Sequence, residues 1–157
     1  MAFFMRRTLT GFTMIELIAI MVIAGILGTS VVSTYSNYNK WLNINEELQA
    51  MTRRLQNARD YCMAKDEPFH FSINTGNESY ILQYKSSPSA LILPGETANT
   101  FTMPSYIDFT SVTGFSSGSL EFNILGEPTT NTNAVININD GDRTIYIIAP
   151  TGYIYVQ

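Results

Sequence analysis

Cysteine and histidine are nearly missing from these 157 residues: Cys62 and His70 are the only ones. One cysteine leaves no intrachain disulfide and no cysteine-based zinc site. One histidine excludes a multi-histidine metal centre and removes the usual base of nucleophile–histidine catalysis. Serines are common, at Ser86, Ser87, Ser116, Ser117 and Ser119, but none sits in a G-x-S-x-G elbow. No glycine-rich loop follows a strand pattern to cradle a nucleotide. Basic charge is also scarce. Lys+Arg number 9 against 13 Asp+Glu, a formal −4, so the chain has no general attraction for nucleic acid or anionic lipid. In the last third Arg143 is the only cation, beside Glu121, Glu127, Asp140 and Asp142. Proline is absent from Phe12 to Glu67, which leaves room for one long helix. With no catalytic residues, no metal ligands and no cofactor motif to name, the chain reads as a non-enzyme.

What the sequence has is a long apolar run. After Arg6 and Arg7 and a glycine at Gly11, residues Phe12 to Val32 contain a single ionisable side chain, Glu16. At about 1.5 Å rise per residue, a helix over that run spans the roughly 30 Å hydrocarbon core of a bilayer. A carboxylate near the centre of such a helix costs on the order of 2–3 kcal/mol, so Glu16 calls for a partner unless it snorkels to the headgroups. Arg6 and Arg7 before the run place the N-terminus in the cytoplasm and the body across the membrane. A secretory signal peptide would be cut after the run, where Leu27-Gly28-Thr29-Ser30 offers small residues but no A-x-A site. A plain signal anchor would leave Glu16 unexplained. A third reading puts cleavage between Gly11 and Phe12.

The residues Gly11-Phe12-Thr13-Met14-Ile15-Glu16-Leu17 resemble the signal of type IV pilins and type II secretion pseudopilins, usually G-F-T-L-I-E-L, with Met14 in place of leucine. The resemblance implies that a prepilin peptidase cuts after Gly11 and methylates the new N-terminus on Phe12. It implies that Glu16 is the assembly residue, facing the α-amine of a neighbouring subunit; on a helix the two positions lie about 6 Å apart along the axis. The pairing would neutralise two charges in low dielectric and fix the axial stagger of subunits. Loss of the leader leaves 7 Lys and Arg against 13 Asp and Glu, a formal −6. The implied partners are other pilin or pseudopilin subunits, the peptidase and an inner-membrane assembly platform. The implied location is the bacterial inner membrane, single-pass, with a periplasmic head that is later drawn into a pilus or pseudopilus.

The helix is expected to continue to about Ala64. Trp41, Ile44, Leu48, Met51, Leu55, Ala58 and Cys62 recur at spacings of three and four, one apolar face. Asn45, Glu46, Glu47, Gln49, Arg53, Arg54, Gln56 and Arg59 make the solvated complement, and the stripe is expected to pack on the chain's own head. Asp66-Glu67-Pro68 stops it. Gly25 and Gly28 weaken the apolar half by roughly 0.8–1 kcal/mol each against alanine. They suit either close helix packing or a segment that melts on assembly. Major pilins that melt there carry a proline shortly after the glycine, and this chain has none.

After Pro68 the period changes to two. Phe69–Ile73 and Tyr80–Tyr84 flank Thr75-Gly76-Asn77 as a hairpin. Residues 86–104 read as loop, with Pro88, Pro94-Gly95 and Pro104. Further strands are expected at Tyr106–Val112, Leu120–Leu125, Ala134–Asn139, Thr144–Ile148 and Tyr153–Val156, with Asp140-Gly141-Asp142 as a turn. Leu55-Gln56-Asn57-Ala58-Arg59, Leu120 to Gly126, and Arg143 to Tyr155 with its turn at Gly152 resemble the H-type pseudopilin and FimT/FimU minor pilin group. Major pilins staple a C-terminal loop with a disulfide that one cysteine cannot make, so the resemblance points to a minor subunit.

The fold class expected is therefore α+β, a long N-terminal helix packed on an antiparallel β-rich head. Residues 1–11 are leader, 12–32 the transmembrane and filament-core helix, 33–67 its amphipathic continuation, and 68–157 the head. Cys62 falls on the apolar stripe and reads as a buried small hydrophobe before a reactive thiol. His70 alternates with Phe69 and Phe71 and reads as a surface strand residue. Asn137, Asn139, Asp140 and Asp142 could contact calcium, but the EF-hand spacing is missing and a polar hairpin tip fits better. DNA capture through a basic C-terminal region is disfavoured by the lone Arg143, although Tyr146, Tyr153 and Tyr155 could stack bases. The function expected is a minor pilin or pseudopilin in initiation or at the tip; the alternative is a pilus-displayed binding module, an adhesin or DNA-uptake receptor.

Overall fold

The structure is a computed structural model that describes residues 11–86 and 89–157, without the side chains of residues 30–33 and 140. Arg6 and Arg7 of the leader, and Ser87 and Pro88 of the expected loop, lie outside the described residues, as do the side chains of Ser30, Val32 and Asp140. Among the described residues one helix, α1 (Met14–Lys65), is followed by eight strands and a single 3-10 turn. The chain divides into two units, Met1–Trp41 and Leu42–Gln157.

In the first unit α1 is long and apolar enough to cross a membrane, and its described aliphatic side chains are exposed. In the second unit α1 is one-sided. Leu48, Met51, Leu55, Ala58 and Cys62 are buried and Ile44 packs partly against them, as the three-and-four spacing requires. Trp41 keeps this spacing without being buried. It is 45% exposed and stacks on Tyr38, so the buried part of the stripe begins at Ile44.

The helix ends one residue past the expected point, and for a reason that proline alone does not supply. Asp66 adopts φ +53. Its N–H donates to the Met63 carbonyl at 3.4 Å, and the Glu67 N–H reaches back to the Cys62 carbonyl at 3.1 Å. These are the two bonds of a Schellman motif, with aspartate in the left-handed position that glycine usually takes. Pro68 then begins the turn into the first strand.

The strands are β1 (Phe69–Asn74), β2 (Ser79–Tyr84), β3 (Thr100–Thr102), β4 (Phe109–Thr113), β5 (Ser119–Phe122), β6 (Ala134–Ile138), β7 (Arg143–Ile148) and β8 (Tyr153–Val156). They form two antiparallel sheets, ordered β3-β2-β1-β5 and β4-β6-β7-β8. Alternation selects the inward faces: Phe69 and Phe71 on β1, Leu120 and Phe122 on β5, Ile136 and Ile138 on β6, Ile145 and Ile147 on β7 are buried. With the helix stripe they make one core. Phe69 and Phe122, opposite each other across β1 and β5, stack with centroids 4.7 Å apart.

Six of the seven expected strands differ at an end, four of them by a single residue and β4 and β5 by more. Tyr106 to Asp108 precede β4 rather than extending it, and Asn123 ends β5, because its side chain accepts the N–H groups of Leu125 and Glu127 at 2.9 and 3.0 Å and turns the chain. The turn between β6 and β7 is a 3-10 turn at Asn139–Gly141, so it opens one residue before Asp140. Strand β3 lies inside the stretch read as loop. Its three residues, Thr-Phe-Thr, are too few for a period to show, and pairing with β2 defines it.

Candidate processing and assembly site

Gly11, Phe12 and Glu16 lie together at the start of α1. Thr13 is the N-cap and Glu16 the third helical residue. The Glu16 Oε2 atom accepts from the Thr13 N–H at 2.9 Å and from the Thr13 hydroxyl at 2.9 Å, while the Glu16 N–H donates to Thr13 Oγ1 at 3.3 Å. This is a capping box, in which each side chain accepts from the other residue's backbone N–H and so satisfies two donors that have no intrahelical partner. The negative charge also sits at the positive end of the helix. Both contacts fall on one oxygen of the carboxylate. The box was legible as Thr13-x-x-Glu16, a signature of helix starts, yet sequence reasoning gave Glu16 only an intermolecular role and gave Thr13 none.

Gly11 stands two residues before the cap. A methyl group built on it would meet nothing within 4 Å, so the fold itself does not require glycine there. The same holds for Gly25 and Gly28.

A second constellation sits in the other unit. Arg59, Gly126 and Gly152 come from three separate segments and meet at one point. Arg59 Nη1 donates to the Gly152 carbonyl at 2.9 Å, and its Nε and Nη2 bond to Asp60 at 3.2 and 3.1 Å. Gly126 and Gly152 are buried with φ +73 and +65. A Cβ on Gly126 would lie 2.7 Å from Arg59 Cγ, and one on Gly152 would lie 2.1 Å from the Gly126 carbonyl oxygen. Gln56 adds a bond to the Ile154 carbonyl at 3.3 Å, so helix side chains occupy one carbonyl of the edge strand β8 and the Gly152 carbonyl just before it.

Opposite this lies a clamp on the loop between β2 and β3. Arg54 Nε bonds to Glu96 at 2.7 Å, Arg54 Nη1 to the Tyr80 hydroxyl at 3.2 Å, and the guanidinium lies 4.5 Å from the centre of the Phe101 ring. Burial works to lower the Arg54 pKa, but the bonds to Glu96 and Tyr80 outweigh it and the net shift is upward.

The remaining candidates have structural duties. Cys62 is buried, and burial, with the Glu67 carboxylate adding to it, pushes its thiol up to about 11; such a thiol is a poor nucleophile. His70 is partly exposed on the outer side of β1, its Nε2 3.6 Å from Glu121 Oε2, too long for a hydrogen bond, while Lys85 binds the same carboxylate. Asn137 bridges Ser111 and Thr144 at 2.8 and 3.0 Å. Asn139 holds the Asp108 N–H and the Tyr106 carbonyl at 2.9 and 3.1 Å. Among the described residues no group of three or more His, Cys, Asp or Glu is placed to hold a metal ion. Tyr146, Tyr155 and Tyr153 stack on one another, with centroids 5.0 and 5.9 Å apart.

No protein-family model matches the chain, and no characterised protein matches it in sequence. Two solved structures share its architecture. One is the minor pseudopilin EpsH from the type 2 secretion system of Vibrio cholerae, 14% identical, with a TM-score of 0.53 over 69% of this chain and 91% of that one. The other is the type IV minor pilin FimU of Pseudomonas aeruginosa strain PAO1, 14% identical, with a TM-score of 0.52 over 74% of this chain and 92% of that one. At that identity the likeness is one of fold: a long N-terminal helix on antiparallel sheets, the α+β, pilin-like arrangement.

Proposed function

We propose that this chain is a minor pilin or pseudopilin, a structural subunit that assembles through α1 and has its chemistry done to it rather than by it. The observation that carries the reading is a conjunction. Gly11-Phe12-Thr13-Met14-Ile15-Glu16-Leu17 opens a helix whose apolar first part is exposed, in a chain with the fold of a minor pseudopilin and a minor pilin. A prepilin peptidase cuts after Gly11 and Phe12 becomes the methylated N-terminus. Residues 12–32 are the membrane anchor and later the filament core, 33–67 continue the helix, and 68–157 form the periplasmic head. Glu16 supplies the carboxylate that meets a neighbour's amine. The subunit works with an inner-membrane assembly platform in starting or capping a pilus or secretion pseudopilus.

The capping box adds a step to this reading. Before assembly Glu16 is held by Thr13 of its own chain, which lowers the penalty of a carboxylate in the membrane by charge-assisted bonds. After processing the α-amine of a neighbour competes for the same group. The test is to express the chain with a prepilin peptidase and an inner-membrane assembly platform, determine the mass of the mature N-terminus, and crosslink from a photoreactive residue in the head. A mature chain that starts at Phe12 and crosslinks to other subunits is the expected result. A chain that starts elsewhere, or that crosslinks to no such subunit, removes the proposal.

A further inference from the structure

We infer that residues 33–41 form an anchor in the phospholipid headgroup layer, with Tyr35, Tyr38 and Trp41 as its contacts and Lys40 as its cation. The inference rests on the proposed membrane span and says where that span ends. The aliphatic run stops at Val32 and the next aliphatic residue is Leu42. Between them the chain reads Ser33-Thr34-Tyr35-Ser36-Asn37-Tyr38-Asn39-Lys40-Trp41. Its only apolar bodies are three rings that each carry a polar atom. Such side chains are most stable where hydrocarbon gives way to water.

The rings recur every third residue on α1, which places them within an arc of about 120°. They are 65%, 56% and 45% exposed, and Tyr38 and Trp41 stack with centroids 6.2 Å apart. None of the three belongs to the core of the second unit. Serine, threonine and asparagine fill most of the intervening positions, which suits a hydrated layer. Lys40 can reach a lipid phosphate along its own stem. The distances agree when the helix leans. At about 30° tilt, within the usual range, the roughly 30 Å core takes in the helix from Thr13 to about Tyr35. Tyr38 and Trp41 then follow within about 8 Å, the depth of the headgroup region.

Trp41 is the only tryptophan, so its emission reports from this position alone. The full chain, reconstituted at low protein-to-lipid ratio in phosphatidylcholine and phosphatidylglycerol vesicles, should emit to the blue of the urea-unfolded chain. It should lose emission when the lipid is brominated high on its acyl chains, and lose less when the bromines lie near the chain ends. The Tyr35→Ser, Tyr38→Ser double variant should lose most of the high-chain quenching; unchanged quenching would overturn the role of the rings. An alkaline carbonate wash tests the span separately. Wash-resistant protein whose Trp41 emits as in water, or is blue-shifted but indifferent to bromine because protein covers it, overturns the anchor and leaves the span standing. Stronger quenching from the chain ends overturns it too. Protein extracted by the wash overturns the span reading and the anchor with it.

Discussion

The guanidinium of Arg59 donates to the carbonyl of Gly152 at 2.9 Å, tying the last turns of α1 to the final hairpin of the head. Gly126 lies between them, close enough that Cβ atoms at either glycine would collide with backbone or with Arg59. Three stretches separated by dozens of residues thus meet in one contact. They are the stretches in which the sequence resembles the minor pilin group, so the resemblance describes a single joint between helix and head.

That joint should be sensitive. Gly152→Ala places a methyl 2.1 Å from the Gly126 carbonyl oxygen at φ +65, and we expect a loss of about 2–4 kcal/mol from backbone strain and overpacking. Arg59→Ala leaves the Gly152 carbonyl without its donor and should cost about 1–3 kcal/mol. Denaturant unfolding followed by circular dichroism measures both, and a change within about 0.5 kcal/mol for either would show that the joint relaxes freely.

Gly11→Ala separates processing from folding. With open space around Gly11, the variant should fold and insert as the parent does, yet remain uncut. Mass spectrometry of the membrane-inserted chain reads the outcome, and normal cleavage would place the specificity elsewhere in the leader.

Glu16 has two roles that substitution can divide. Glutamine keeps the capping box and removes the charge, whereas alanine removes both. Glu16→Gln should leave the helix start intact and still impair incorporation into filaments. Glu16→Ala should add a loss of about 1 kcal/mol at the cap. Equal incorporation of Glu16→Gln and parent, judged by sheared-filament content, would assign the residue to capping alone.

Alkali should destabilise the head. Burial pushes Cys62 up to about 11 and Tyr80 up to about 12, the latter against an opposing pull from its bond to Arg54. Burial, then the bond to Tyr61, takes Tyr84 up to about 12. Each group is kept neutral by the fold, so its contribution is complete below its unfolded pKa, about 8.5 for the thiol and about 10 for the phenols, and is lost as pH rises through the folded value. Stability measured by denaturant titration should therefore hold steady to about pH 8.5 and fall toward pH 12. In Cys62→Ala the fall should begin nearer pH 10, where the tyrosines titrate.

Local signals carried most of the secondary structure. The spacing from Ile44 to Cys62 identifies a buried helix face because 3.6 residues per turn admits no other reading, and the alternation from Phe69 to Tyr84 marks a hairpin in the same way. Trp41 satisfied that spacing and still lies outside the core, since periodicity gives direction around the helix but not where the head begins. Strand β3 was hidden because three residues carry no period and its existence depends on β2 beside it.

By itself the sequence determined the long uninterrupted helix, its apolar first part with one carboxylate, the change of period after Pro68 and the box Thr13-x-x-Glu16. Each depends only on residues within a few turns of one another. Only the tertiary structure decided that the eight strands split into two sheets, that Arg54 closes on Glu96, Tyr80 and Phe101, and that Arg59 finds Gly126 and Gly152. Those contacts join residues far apart in the chain, and their partners are selected by shape and by unpaired carbonyls that no local pattern records.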